Sequence, residues 1–228
     1  MTTTTASSKK SDLKVRTLSA IVMIAIAGFA VWFGGWLYFL FIAIITTGML
    51  WEWWGLARKI TDKILYRLLW VLCGLAYIGS AAWMMLALRD TEMTAILLAF
   101  LGIVIATDTG AYFTGRAIGG PKIAPWISPS KTWAGLIGGM AASAVFMSAY
   151  SYFIFPSFDI WLTVFAALLA IVAQAGDFLE SWMKRRAGVK DSGSLIPGHG
   201  GLLDRLDGLL PVLIVGGFGG LAVAVSNI

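Results

Sequence analysis

Histidine and cysteine each occur once in the 228 residues, as His199 and Cys73, and charged side chains make up only 13% of the chain. A lone cysteine excludes an intramolecular disulfide and a cysteine metal cluster. A lone histidine excludes a histidine zinc triad. The scarcity of charge excludes an ordinary soluble domain, in which about 25% of residues are charged.

What fills the chain instead is oil: 59% of residues are hydrophobic and the mean hydropathy is +0.83. The apolar residues extend over almost the full length. This predicts an all-α polytopic membrane bundle, one integral-membrane domain over residues 18–228, rather than an anchor attached to a soluble domain. Residues 1–17, rich in Thr, Ser and Lys, have little to bury and are expected to form a disordered cytoplasmic arm. Lys14 and Arg16 followed by an apolar run resemble the start of a secretory signal, with Ala25-Ile-Ala27 as a nominal cleavage site. The run continues to Phe33, however, which favours a first membrane helix.

Apolar runs long enough to cross a bilayer lie at Leu18 to Gly34, Trp36 to Leu56, Ile64 to Leu88, Met93 to Phe113, Trp133 to Phe155, Ile160 to Phe178 and Leu209 to Val225, about seven helices in all. Only Gly34-Gly35 separates the first two, so a re-entrant pair is the alternative there. With the amino terminus in the cytoplasm, 16 of the 17 Lys and Arg residues fall on the inner side and only Arg89 falls outside. The positive-inside rule therefore places the amino terminus in the cytoplasm. The net charge of +5 is then a matter of topology, and no nucleic-acid partner is expected. The small-residue patches Gly135 to Gly139 and Gly216 to Gly220 are expected to be close helix contacts.

Against this background one stretch stands out. Residues 177–207 hold five acidic and five basic side chains, the only histidine and a glycine-rich turn, all between two apolar runs. Asp177, Glu180, Ser181 and Lys184 are spaced to share one face if the sixth helix runs past the membrane surface. Asp204 and Asp207 are again three apart at the entry to the last helix. Acids at this depth are costly unless paired or liganded. Hard oxygen donors of this kind suit Mg²⁺ or Mn²⁺. The competing expectation is that Asp177 and Asp204 merely neutralise Lys184, Lys190 or Arg205.

Pro197-Gly-His-Gly-Gly201 precedes the second acidic pair, where glycine backbone and free helix-terminal amides can approach an anion. Lys184, Arg185, Lys190 and Arg205 lie close in sequence, so the segment suits a polyphosphate. It is not a P-loop, because the required glycine spacing before Lys131-Thr132 is missing. His199 is expected to contact phosphate rather than act as an acid. Asp108 is a further acid near a helix end, and Glu52, within Trp51-Glu-Trp-Trp54, is expected to be an interfacial residue of an aromatic belt.

Ser181-Trp-Met-Lys184-Arg185, Lys190-Asp191-Ser192-Gly193, Leu195-Ile-Pro-Gly-His199-Gly-Gly201 and Asp204-Arg205-Leu-Asp207 resemble the signature of the phosphatidate cytidylyltransferases, or CDP-diacylglycerol synthases. Upstream, Asp108-Thr-Gly-Ala-Tyr112 with Gly115-Arg116, Ser128-Pro-Ser-Lys131-Thr132 and Gly176-Asp177 are similar to further motifs of that family. The chain departs from the pattern at Ala134, where an acidic residue is usual, and it is short for the family, which implies fewer amino-terminal helices.

The resemblance implies transfer of the cytidylyl group of CTP to phosphatidic acid, with Mg²⁺ as cofactor and a homodimeric assembly in the cell membrane, the active site facing the cytoplasm. Whether a monovalent ion accompanies Mg²⁺ is left open. Carried onto this chain, it makes Asp177, Lys190, Asp191, His199, Asp204 and Asp207 the catalytic set. Lys131, Thr132, Ser181, Lys184, Arg185, Gly200, Gly201 and Arg205 become substrate contacts, and Asp177, Asp204 and Asp207, supported by Asp108, become metal ligands. A transporter would instead place its acids near the midplane, often on paired broken helices. A CDP-alcohol phosphatidyltransferase would carry an Asp-Gly-x₂-Ala-Arg pattern that is absent here.

Overall fold

The computed structural model describes the backbone of residues 4–90, 93–154 and 159–226, with side chains over 14–89, 93–154 and 159–219. Residues 91–92 of the turn after α3, most of the turn at 156–159 and the side chains of Lys9 and Lys10 lie outside the described residues. The helices are α1 (Thr4–Phe33), α2 (Gly35–Ile60), α3 (Ile64–Asp90), α4 (Thr94–Ala117), α5 (Trp133–Ile154), α6 (Ile160–Arg186), α7 (Leu203–Leu206) and α8 (Leu209–Ser226). Among the described residues, extended pairing is confined to two isolated bridges, Lys122 with Thr132 and Ile196 with Gly200.

Among the described residues, six helices, α1 to α6, are long and apolar enough to cross a membrane. The seventh expected span corresponds to α8, whose fully described apolar part, Leu209–Gly219, is shorter. The element boundaries differ from the sequence expectation where polar residues extend a helix beyond its apolar run. Thus α1 begins at Thr4 within the stretch expected as an arm, α4 continues to Ala117, and α6 continues to Arg186. At 27 residues, α6 is about 40 Å long, against the roughly 30 Å of hydrocarbon it has to cross. Its last turns therefore carry Asp177, Glu180, Ser181 and Lys184 on one continuous helix.

The α1–α2 junction is a tight turn with Gly34 at φ 69° and Gly35 at φ 54°, a backbone region that other residues avoid. A side chain at Gly34 would also lie 2.6 Å from Arg89 Nη2. Arg89 donates from Nε to the Val31 carbonyl at 2.7 Å and from Nη2 to the Trp32 carbonyl at 3.3 Å. The one basic residue that breaks the charge asymmetry thus satisfies carbonyls at the carboxyl end of α1, where a cation is favoured.

Small residues let the helices approach, as expected. Between α4 and α5, a Cβ on Gly110 would meet the Gly138 carbonyl at 2.6 Å, and one on Gly139 would meet the Thr107 carbonyl at 2.9 Å. On α8, a Cβ on Gly216 would lie 2.7 Å from the Phe100 ring, and one on Gly217 would run into Met84. The core joins α2, α3, α4, α6 and α8 through residues such as Leu56, Ile78, Met84, Ile103, Leu169 and Leu213. This packing brings the loop between α6 and α8 against α2 and α1.

Candidate active site

Two polar clusters form where the helices end. The first surrounds Asp204. Glu180 and Lys184 are one turn apart on α6, and Lys184 Nζ donates at 2.6 Å both to Glu180 Oε2 and to Asp204 Oδ1. The other oxygen of Asp204 accepts three hydrogen bonds at 2.9 Å, from the Ser192 amide, the Ser192 hydroxyl and the Gly201 amide. Burial on its own raises the Asp204 carboxyl, but hydrogen bonds with Glu180 and Lys184 and from the Gly201 and Ser192 amides outweigh it and hold the group down at about 2. Asp204 is therefore a structural anion that clamps the loop onto α6.

Glu52 joins the same cluster from α2. It is 3% exposed, and its carboxylate accepts from the Leu202 amide at 3.1 Å, the Leu203 amide at 3.0 Å and the Ser192 hydroxyl at 3.1 Å. The interfacial position expected for Glu52 is thus replaced by a buried one. The amides expected to be free for an anion are also accounted for differently: those of Gly201, Leu202 and Leu203 are occupied by the protein's own carboxylates. The turn before them is closed by the Ile196 amide on the Gly200 carbonyl at 2.9 Å, with Gly198 at φ 76° and Gly200 at φ 80°.

The second cluster surrounds Asp177. Its carboxylate pairs with Lys131, which reaches across from the loop before α5. The backbone of that loop is fixed by the Lys122–Thr132 bridge and by the Ile123 amide on the Lys131 carbonyl at 3.1 Å. Thr132 caps α5, its hydroxyl accepting from the Gly135 amide at 3.0 Å. A cavity of about 400 Å³ opens beside this pair, lined by Asp108, Tyr112, Arg116, Lys131, Thr132 and Asp177 among others. Polar groups of both signs at the mouth of a cavity this size suit a charged ligand.

Asp207 lies between α7 and α8. Burial, followed by repulsion from Asp177, raises its carboxyl from the usual range to about 7. A Cβ on Gly208 would come within 3.1 Å of Asp177 Oδ1, so the glycine lets the start of α8 lie against α6 without displacing that carboxylate.

The expected site residues therefore divide. Asp108, Lys131, Thr132 and Asp177 share the polar cavity, whereas Lys184, Gly201 and Asp204 belong to the clamp. His199 shares a 2.8 Å hydrogen bond through Nδ1 with the Ser19 hydroxyl of α1. Arg205 donates twice to the His199 carbonyl, and Arg185 donates to the Ile127 carbonyl, tying the end of α6 to the loop before α5. Lys190 and Asp191 are exposed on the turn after α6, Ser181 is half-buried on α6, and Gly200 packs with its Cα facing the Asp191 and Asp204 side chains.

The four carboxylates expected to ligate metal do not converge. Among the described residues, no group of three or more acids, histidines or cysteines is gathered as a metal site. Asp204 has both oxygens committed to protein donors, so it does not fit as a ligand in this arrangement. Asp177 and Asp207 fit better, since their mutual repulsion is what a hard cation relieves. One oxygen of the neighbouring Glu180, Oε1, is buried without a hydrogen-bond partner among the described residues.

Comparison with known proteins bears on what this arrangement belongs to. A family model described as "Cytidylyltransferase family" matches residues 61–218. The chain belongs to that family. The matched region includes both clusters apart from Glu52. Curated relatives named phosphatidate cytidylyltransferase include one from Brucella suis, 37% identical over 88% of this chain and 90% of the relative. Another, from Rickettsia conorii, is 32% identical over 91% of this chain and 90% of the relative. A relative of the same name from Staphylococcus haemolyticus is 44% identical over 62% of this chain and 55% of its own length.

Sequence reasoning missed Glu52 as a clamp residue and Gln174 in the lining of the polar cavity, and it singled out the motifs that hold Tyr112 and Arg116 without giving either residue a role. For Glu52 a signal was present, since an acid amid three tryptophans is expensive in an apolar setting and so calls for partners.

Proposed function

We propose that this chain transfers the cytidylyl group of CTP to phosphatidate, forming CDP-diacylglycerol and pyrophosphate. The observation that carries this reading is the 400 Å³ polar cavity, where Arg116 and Lys131 stand beside Asp108 and Asp177 at the end of membrane helices. A nucleoside triphosphate needs such cations, and a phospholipid needs a site that adjoins apolar helices. The curated relatives bear the name of this activity.

In the reaction, an oxygen of the lipid phosphate attacks the α-phosphorus of CTP. The bond from that phosphorus to the bridging oxygen breaks, and pyrophosphate leaves with the bond's electrons. A phosphate monoester is already a nucleophile, so positioning and charge neutralisation dominate. Lys131 and Arg116 would bind the triphosphate, and the clamp around Asp204 would hold the loop with His199 and Arg205 in register with it. Mg²⁺ held by Asp177 and Asp207, with Asp108 in support, would neutralise charge developing on the leaving group.

The basic residues concentrated at this end of the bundle support a cytoplasmic active site and a cytoplasmic amino terminus in the cell membrane. A homodimer is part of the same proposal. The test is purified protein in detergent with labelled CTP, phosphatidate and Mg²⁺, followed by extraction of a lipid-soluble cytidine product. Absence of product across metals and lipids would sink the assignment.

A further inference from the structure

A second cavity of about 450 Å³ lies between α1 and the rest of the bundle, and its lining is almost wholly apolar. Ala27 and Val31 of α1, Ile42 and Ile45 of α2, and Leu97 of α4 form its walls, while Arg205 stands at the end nearest the α6–α8 loop. The buried Tyr38 hydroxyl donates to the Met85 carbonyl at 3.2 Å, so it is turned to the protein rather than into the space. The cavity follows α1 from Met23 to Val31, about 12 Å of helix. Its lining runs from Ile196, Leu202 and Arg205 of the α6–α8 segment along α1 to Val31, and we describe it as a slot.

Charge complementarity selects the occupant. The Nε and Nη2 of Arg205 donate to the His199 carbonyl at 3.1 and 2.7 Å, which leaves the rest of a five-donor fork for an anion. Arg205 is exposed, adjoins Asp204 of the clamp and lies two residues before Asp207. At the same end, the His199–Ser19 hydrogen bond ties the loop to α1. A slot with apolar walls, an exposed arginine among the residues that line it and the reaction loop beside it matches an acyl chain whose headgroup carries a phosphate.

We propose that this slot holds one acyl chain of the phosphatidate substrate, with its phosphate at Arg205, in a site distinct from the polar nucleotide cavity. The proposal rests on the cytidylyltransferase reading above and adds the lipid's position. It separates substrate lipid from bulk phospholipid, whose headgroup phosphate is esterified on both sides.

The test uses the full chain in phosphatidylcholine nanodiscs with phosphatidate carrying a diazirine at mid-chain. After irradiation, peptides from α1, α2 and α4 that include Ala27, Ile42 or Leu97 should carry the label. Unlabelled phosphatidate should reduce it at least fivefold, and an equal concentration of phosphatidylglycerol should leave it within twofold. Labelling elsewhere, or equal competition by phosphatidylglycerol, would overturn the proposal.

Kinetics give a second reading. Ala27→Trp fills the slot and should lower the ratio of kcat/KM for dioleoyl over dihexanoyl phosphatidate about tenfold, whereas Val22→Trp, outside the slot, should not change it. An unchanged ratio in Ala27→Trp would also overturn the proposal. Wild-type turnover in the same nanodiscs tells the two readings apart. Product without slot labelling refutes the slot, and slot labelling without product refutes the activity.

Discussion

Replacing Glu52 tests whether a residue outside the chemistry holds the reaction loop in place. Its carboxylate accepts three hydrogen bonds, from Ser192, Leu202 and Leu203, at 3% exposure. Glu52→Ala leaves the Leu202 and Leu203 amides without their acceptor and the Ser192 hydroxyl with Asp204 alone. At about 1–3 kcal/mol for each buried unsatisfied donor, and with water recovering part of the loss, the local cost comes to about 3–5 kcal/mol. Glu52→Gln keeps one acceptor oxygen but turns an NH₂ towards an amide, so it should cost about 2 kcal/mol.

The assay pairs thermal unfolding in detergent with steady-state cytidylyl transfer. Glu52→Ala should lower the Tm by on the order of 10 °C and kcat by about 100-fold, since a misplacement of about 1 Å in a positioning element costs that much. A double-mutant cycle isolates the contact. A Cβ at Gly201 would crowd Ser192 Oγ as well as the Glu52 oxygens, the latter at 2.5–2.6 Å, so Gly201→Ala should be harmful in the wild type and partly relieved beside Glu52→Ala, which frees the Glu52 side of the contact. Wild-type Tm and kcat in Glu52→Ala, or strict additivity with Gly201→Ala, would refute the clamp.

Lys184→Met removes the cation shared by Glu180 and Asp204 and should destabilise the protein by about 3–5 kcal/mol, measured as a loss of Tm larger than that of Arg185→Met. Asp204→Asn should likewise lower the Tm as well as turnover, because Asp204 accepts four hydrogen bonds from the protein; an inactive variant of unchanged stability would contradict its clamp role. Asp207, raised to about 7, keeps its proton in the folded state after the unfolded chain has lost it. In EDTA, stability should therefore fall as pH rises from about 4 to about 7 and then level off, and Asp207→Asn should remove that slope. Adding Mg²⁺ at pH 8 should raise the Tm of the wild type but not of Asp177→Asn, as read by calorimetry. Lys131→Ala should raise the KM for CTP at least tenfold with little change in the KM for phosphatidate, as measured in mixed micelles.

Much of this was legible in local sequence. The phase of Asp177, Glu180 and Lys184 follows from 3.6 residues per turn and needed only the continuation of α6, which the structure supplies. The glycine patches were readable because close helix packing in lipid admits few other residues. The interfacial expectation for Glu52 failed because its partners are 140 to 151 positions away, beyond any local pattern. The free-amide expectation failed for the same reason, since what fills those amides arrives in part from another helix.

The sequence alone determined an all-helical membrane protein, the order of its main helices, and a segment that carries much of its polar chemistry. These depend on composition and short-range periodicity, which bilayer thickness and helix geometry convert directly into structure. Only the tertiary structure decided the pairing of charges: Lys131 with Asp177, Lys184 between Glu180 and Asp204, and Glu52 on the loop. In a low-dielectric interior each buried charge must find a partner, and which partner it finds depends on how the helices pack rather than on how far apart the residues lie along the chain.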